Sequence, residues 1–83
     1  DLRTAQEFSS GHISGAENIQ PENIEQKVNS KNISKEKPII LVCKTGSHSS
    51  KAGLRLKKSG FQNISIMSGG MMLWQNQGLP LSK

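Results

Sequence analysis

The stretch that decides the fold is Ile39-Ile40-Leu41-Val42-Cys43-Lys44-Thr45-Gly46-Ser47-His48-Ser49-Ser50. Four aliphatic residues run straight into the only cysteine of the chain, and a short glycine-bearing loop leads into a helix. A continuous apolar run with β-branched members, preceded by Pro38, predicts a strand over 39–43 buried on both faces. Strands of that kind belong to parallel sheets, whose ligand sites lie beyond their carboxyl ends. Cys43 stands at that end. Its thiol is expected to look into a loop whose backbone N–H groups turn inward, with a helix N-terminus behind it. Both features favour negative charge. They would lower the thiol pKa and hold an anionic sulfur, which points to a thiolate nucleophile in an anion cradle.

Working outward, Ser49 to Ser59 reads as the helix, with Ser49, Ala52, Gly53 and Leu56 on one side and Gly60 as its stop. Ile64 to Met67 reads as a short strand. Ser68-Gly69-Gly70 then turns the chain into a short apolar helix ending near Gly78, whose Met71, Met72 and Trp74 read as core. Upstream, Thr4 and Glu7 have the spacing of a capping box, with Phe8 as the apolar anchor of the helix they open. Asp1 and Arg3 read as a structural pair. Gly11 to Ala16 is a loop in which Ile13 and Ala16 point inward and His12 orients backbone. Pro21 suits the first turn of another helix, and Ile24 and Val28 give it one narrow apolar stripe. Residues 29–37 read as a surface loop. Strand and helix in alternation imply an α/β domain with a parallel sheet flanked by helices.

Eighty-three residues make one small domain. With Phe8, Phe61 and Trp74 as the only aromatics, the core must be mostly Ile, Leu, Val and Met. No apolar run approaches the roughly 20 residues of a membrane span, and no signal peptide is visible. One cysteine forms no internal disulfide, and Cys43 with His12 or His48 is too few ligands for a metal site. No metal and no cofactor is expected. Residues 1–36 hold all six acids against four bases, net −2, whereas residues 37–83 hold seven bases and no acid. Five of those bases lie between Lys44 and Lys58. The plain reading is a solvated helix face; the functional one is steering of small anions toward Cys43. No aromatics interleave with the bases, so a nucleic-acid partner is not expected.

In order and spacing the chain resembles the rhodanese family of sulfurtransferase domains. The resemblance rests on Asp1-Leu2-Arg3, Glu7-Phe8, Gly11-His12-Ile13-Ser14-Gly15-Ala16-Glu17-Asn18-Ile19 and the Pro38–Cys43 strand and loop. It continues through Gly60-Phe61, Gly69-Gly70, Trp74 and Gly78-Leu79-Pro80. It implies a rhodanese-like sheet whose first strand would lie just before Asp1, so that residues 1–83 read as an N-terminally trimmed domain. It also implies that Cys43 takes a sulfane sulfur from thiosulfate or another persulfide, holds it as a persulfide, and passes it to cyanide or a thiol. Lys44, Thr45, Gly46, Ser47, His48 and Ser49 would bind the substrate. Many members have Arg at the position of His48, which questions the donor more than the persulfide chemistry. The related dual-specificity phosphatases of the cell-division-cycle type need an Arg where Ser49 stands, so phosphatase activity is not expected. The alternative reading is an interaction module whose donor site has decayed. The two ends of the chain look similar to bacterial single-domain rhodaneses, some with an N-terminal membrane anchor. The expected location is cytoplasmic, with a membrane tether possible upstream.

Overall fold

The computed structural model describes residues 1–83. Helix α1 spans Ala5–Ser10, a 3₁₀ turn at Pro21–Asn23 leads into α2 at Ile24–Ser30, and β1 covers Ile39–Leu41. Then follow α3 at Ser47–Lys58, β2 at Ile64–Ile66 and α4 at Gly70–Asn76. The two strands run parallel, with Ile39 opposite Ile64 and Leu41 opposite Ile66. Single backbone bonds widen this sheet. Leu2 N–H donates to Val42 O at 2.7 Å, and Ile19 N–H donates to Asp1 O at 3.0 Å. The α/β architecture read from the sequence is therefore present.

The strand itself is shorter and less covered than expected. Strand β1 stops at Leu41, and Ile40 is 67% exposed. The backbone changes partners there: Val42 O turns to Leu2, and Cys43 O accepts from Met71 N–H at 2.8 Å. Val42 and Cys43 stay buried without remaining in the ladder. The face carrying Ile40 meets only a shallow hollow of about 360 Å³, shared with Ile13, Ala16, Met67 and Trp74. Ile13 and Ala16 are accordingly half-buried rather than buried.

The opposite face carries the core. Leu2, Leu41 and Cys43 pack with Ile24 and Val28 of α2, Ala52 and Leu56 of α3, and Phe61. Helix α3 presents Ser49, Ala52, Gly53 and Leu56 inward, the stripe its spacing predicts. It lies very close to β2, because a Cβ on Gly53 would sit 3.3 Å from both Ile64 Cγ2 and Ile66 Cδ1. At the helix end Gly60 N–H bonds Lys57 O at 3.0 Å and Phe61 N–H bonds Leu56 O at 3.1 Å. That paired arrangement ends the helix and turns Phe61 into the core. On α4 Gly70 is buried, and Met71 is the only large side chain that is. Met72 is exposed and Trp74 half-buried, since a seven-residue helix lays just one narrow stripe against the sheet.

The N-terminal third is pinned by polar contacts. Thr4 and Glu7 form the capping box, with Glu7 N–H on Thr4 Oγ1 at 3.2 Å. Arg3 Nη2 donates to Asp1 Oδ2 at 2.8 Å and to Gly11 O at 2.8 Å, and both side chains are almost fully buried. His12 stacks on Phe8 with Nδ1 2.9 Å from Phe8 O, and bridges to Ser82 through its backbone. Both pairs are structural, as the sequence suggested. No helix is long and apolar enough to cross a membrane.

Candidate active site

The apolar run delivers Cys43 to the point where the sheet ends and the chain must turn. Lys44, Thr45 and Gly46 make that turn, with Gly46 left-handed at φ 108°. This conformation aims the Gly46 N–H back at the sulfur, 2.9 Å from Cys43 Sγ. Helix α3 begins immediately, two residues earlier than its sequence predicts. Ser50 closes the first turn through N–H and Oγ bonds to Gly46 O, at 3.1 and 3.0 Å. The loop is clamped from behind by α4, whose Met71 and Met72 N–H groups bond the carbonyls of Cys43 and Lys44 at 2.8 and 3.0 Å. The carbonyls of Cys43 and Lys44 thus face α4, and the Gly46 N–H faces the sulfur.

Burial of the sulfur opposes its ionisation, yet the Cys43 pKa lies below the ordinary thiol value. The Ser49 hydroxyl and the backbone N–H groups of Ser49, Gly46 and Thr45 more than offset the lost solvation. Ser49 Oγ is fully buried and has no hydrogen-bond partner. A buried hydroxyl held without a partner is costly unless an acceptor forms, and the thiolate is that acceptor. Ser49→Ala should therefore move the pH profile of Cys43 alkylation by iodoacetamide to higher pH. At neutral pH the rate should fall about three- to tenfold, since the remaining thiolate is individually more nucleophilic. An unshifted profile would show that Ser49 does not donate to the sulfur.

Cys43, though only 2% exposed, borders a cleft of about 450 Å³. Lys44 and His48 line that cleft, together with Arg3, Thr4, Glu7 and Glu22 from the N-terminal third. The six loop positions read from the sequence thus separate. Thr45, Gly46 and Ser49 act on the sulfur, and Lys44 and His48 border the mouth. Ser47 opens α3 as an exposed residue and does neither. Sequence reasoning missed the acidic rim of Glu7 and Glu22, and the clamp at Gly70-Met71-Met72. The Gly69-Gly70 pair was the signal for the clamp. No cluster of residues could hold a metal ion.

Cys43 thus stands two residues beyond the end of β1, its sulfur accepting the Gly46 N–H at the start of α3. Residues 1–77 match the rhodanese-like domain family. The chain belongs to that family. Among curated proteins it is 36% identical over 74 residues to YqhL of Bacillus subtilis, covering 89% of this chain and 57% of YqhL. It is 32% identical over 75 residues to the thiosulfate sulfurtransferase GlpE of Pseudomonas putida, covering 90% of this chain and 66% of GlpE. It therefore spans only part of these relatives. Among solved structures, the rhodanese-like domain of the Anabaena Alr3790 protein superposes with a TM-score of 0.86 at 26% identity. That match covers 99% of this chain and 93% of the Anabaena one. A rhodanese-like domain protein from Staphylococcus aureus superposes at 0.81 with 29% identity, covering 99% of this chain and 78% of its own. This rhodanese domain thus shares its fold with close structural neighbours along nearly its whole length.

Proposed function

We propose that this rhodanese domain is a sulfurtransferase, or persulfide carrier, with Cys43 as its nucleophile. The observation that carries the reading is a nearly buried Cys43 sulfur that accepts the Gly46 N–H at 2.9 Å at the edge of an open cleft, with the Ser49 hydroxyl buried and unpartnered at the start of the same helix. The thiolate attacks the outer sulfur of a donor. With thiosulfate, a bond forms between Cys43 Sγ and that sulfur, the S–S bond of the donor breaks, and sulfite leaves with the electron pair. The product is Cys43–S–S⁻, whose terminal charge would rest against the loop N–H groups. In the second half-reaction a nucleophile attacks the terminal sulfur and the electron pair returns to Cys43 Sγ. Cyanide leaves as thiocyanate, and a thiolate R–S⁻ leaves as R–S–S⁻. The enzyme is a covalent carrier between the two steps.

The partners that fit are a small anionic sulfur donor and a thiol acceptor, with Lys44 supplying positive charge beside His48 at the mouth. His48, where many family members carry Arg, also favours a second reading, an interaction module whose donor site has decayed. Intact-protein mass decides between them. Incubation with thiosulfate or an organic persulfide should add one sulfur atom, cyanide should remove it, and Cys43→Ser should never gain it. A folded protein that gains no sulfur from either donor would leave the interaction module.

A further inference from the structure

Helix α3 carries one spacing twice. Ser49, Ala52, Gly53 and Leu56 are buried at i, i+3, i+4 and i+7. Lys51, Leu54, Arg55 and Lys58 repeat that spacing two residues on, about 200° around the helix, and all four are exposed. Three bases thus share the outer face with a leucine that is 55% exposed. Lys51 and Arg55 are about one turn apart, as are Arg55 and Lys58, close enough for like charges to repel. No acid relieves them. The chain has no acid after Glu36, and its ion pairs are Asp1–Arg3 and Glu17–Lys31. Glu25 of α2 meets the end of α3 at the Ser59 hydroxyl, 3.4 Å away, and pairs with none of its bases. A solvated helix face is better served by mixed charges, since opposite signs at i and i+4 support the helix. The helix dipole favours bases in the last turn, which accounts for Arg55, Lys57 and Lys58. It accounts neither for Lys51, near the middle of the helix, nor for a large apolar side chain among the cations. Steering of anions to Cys43 does not place them there either. His48 is the one α3 residue in the cleft wall, and Lys51, Leu54, Arg55 and Lys58 border no cavity of the domain. Such a face has no pocket for a small molecule and suits a surface of opposite charge.

We propose that the outer face of α3 docks an acidic amphipathic helix of a partner protein, with carboxylates on Lys51, Arg55 and Lys58 and an apolar side chain over Leu54. The three cations span about 10 Å of helix axis, so carboxylates repeating at i, i+4 and i+7 on the partner match them. Leu54 decides between kinds of partner. A nucleic-acid backbone offers it nothing apolar, and the face has no aromatic side chain on which bases could stack. Lying on a bilayer takes a row of apolar side chains, and the apolar row of α3 is buried in the core. A protein surface supplies both a carboxylate rim and an apolar centre. This docking is independent of the chemistry at Cys43.

The test follows the amide resonances of the whole chain during titration with a helical peptide carrying Glu at i, i+4 and i+7 and Leu at i+3. The same peptide with Gln for Glu, phosphatidylserine vesicles and a short DNA duplex are the comparisons. The Glu peptide should shift the amides between Lys51 and Lys58, bind about tenfold tighter than the Gln peptide, and weaken as salt is raised. Lys51→Gln with Arg55→Gln should weaken it about tenfold, the scale of two exposed ion pairs, and Leu54→Gln about threefold. Lys37→Gln with Lys83→Gln lowers the net charge from +5 equally, at exposed positions off the helix, and should leave binding unchanged. Equal losses in the two double variants would reduce the effect to net charge and overturn the proposal. Equal binding of the Glu and Gln peptides, shifts confined to residues outside α3, or undiminished binding by Leu54→Gln overturn it too. Tighter binding of the vesicles or the duplex than of the Glu peptide, through the same residues, would assign the face to a lipid or phosphate partner instead.

Discussion

Gly70→Ala should abolish the thiolate site, lowering the rate of sulfur loading at least about a hundredfold. Gly70 opens α4 with φ 58°, a left-handed conformation that an L side chain adopts at a cost of about 1–2 kcal/mol. The larger effect is steric. A Cβ at Gly70 would lie 2.5 Å from Lys44 O and overlap Cys43 O as well. These are backbone atoms of the reactive loop, so no side-chain rotation relieves the clash. Either α4 withdraws, breaking the Met71 and Met72 N–H bonds to the loop carbonyls, or the loop moves and carries the Gly46 N–H away from the sulfur. Both outcomes raise the Cys43 pKa, because fewer donors face the thiolate. Alkylation of Cys43 against pH should therefore shift upward together with the loss of loading. Gly78→Ala is the control. Its φ is 69° but its Cβ would meet nothing within 4 Å, so it bears only the backbone cost and should load sulfur normally. Comparable losses in the two variants would show that backbone strain, not the clamp on the loop, sets the effect.

What the sequence disclosed follows the range of the forces involved. The capping box of Thr4 and Glu7, the Ile24–Val28 stripe and the Gly60 stop depend on residues a few positions apart, and all are present. Cys43 at the end of an aliphatic run was legible for the same reason, since strand, loop and helix start are contiguous. Ile40 was not. Its burial depends on what covers that face of the sheet, and a periodic pattern carries no such information. The early start of α3 was missed because Ser47 and His48 are weak helix formers, while the left-handed turn at Gly46 imposes the start from outside the helix. The cleft's acidic rim was equally hidden. Glu7 reads locally as half of a capping box, and its place in the cleft wall arises only when Leu2 pairs with Val42 and brings α1 beside the loop. The fold positions the chemistry through such pairings. In this chain they are backbone bonds between Asp1–Arg3 and its neighbours, held by one buried Asp–Arg pair.

Leu56→Ala should remove much of the stability of the domain. Leu56 is 0% exposed, lies in the last turn of α3 and packs in the cluster with Ile24, Val28, Leu41 and Phe61. Truncating a leucine in such a site costs about 2–5 kcal/mol, counting lost transfer energy and the cavity left behind. A domain of this size holds only about 4–12 kcal/mol in total, so the loss is a large share. With a urea slope of about 1 kcal/mol/M, the unfolding midpoint should fall by about 2 M or more. The effect reaches the chemistry because the same helix presents Ser49, two turns earlier, to the sulfur. As α3 loosens, Ser49 and Gly46 leave the thiolate, and Cys43 should return toward the alkylation profile of an ordinary thiol. Leu54→Ala supplies the contrast. Leu54 is 55% exposed on the other side of the same helix, and alanine is the better helix former, so its midpoint should stay within the range of a surface change. If the two variants lost equal stability, packing of α3 against the sheet could not be what holds the reactive loop in place. If only Leu56→Ala lost both stability and the low thiol pKa, the buried stripe of α3 would be the link between the core of this small domain and the reactivity of its single cysteine.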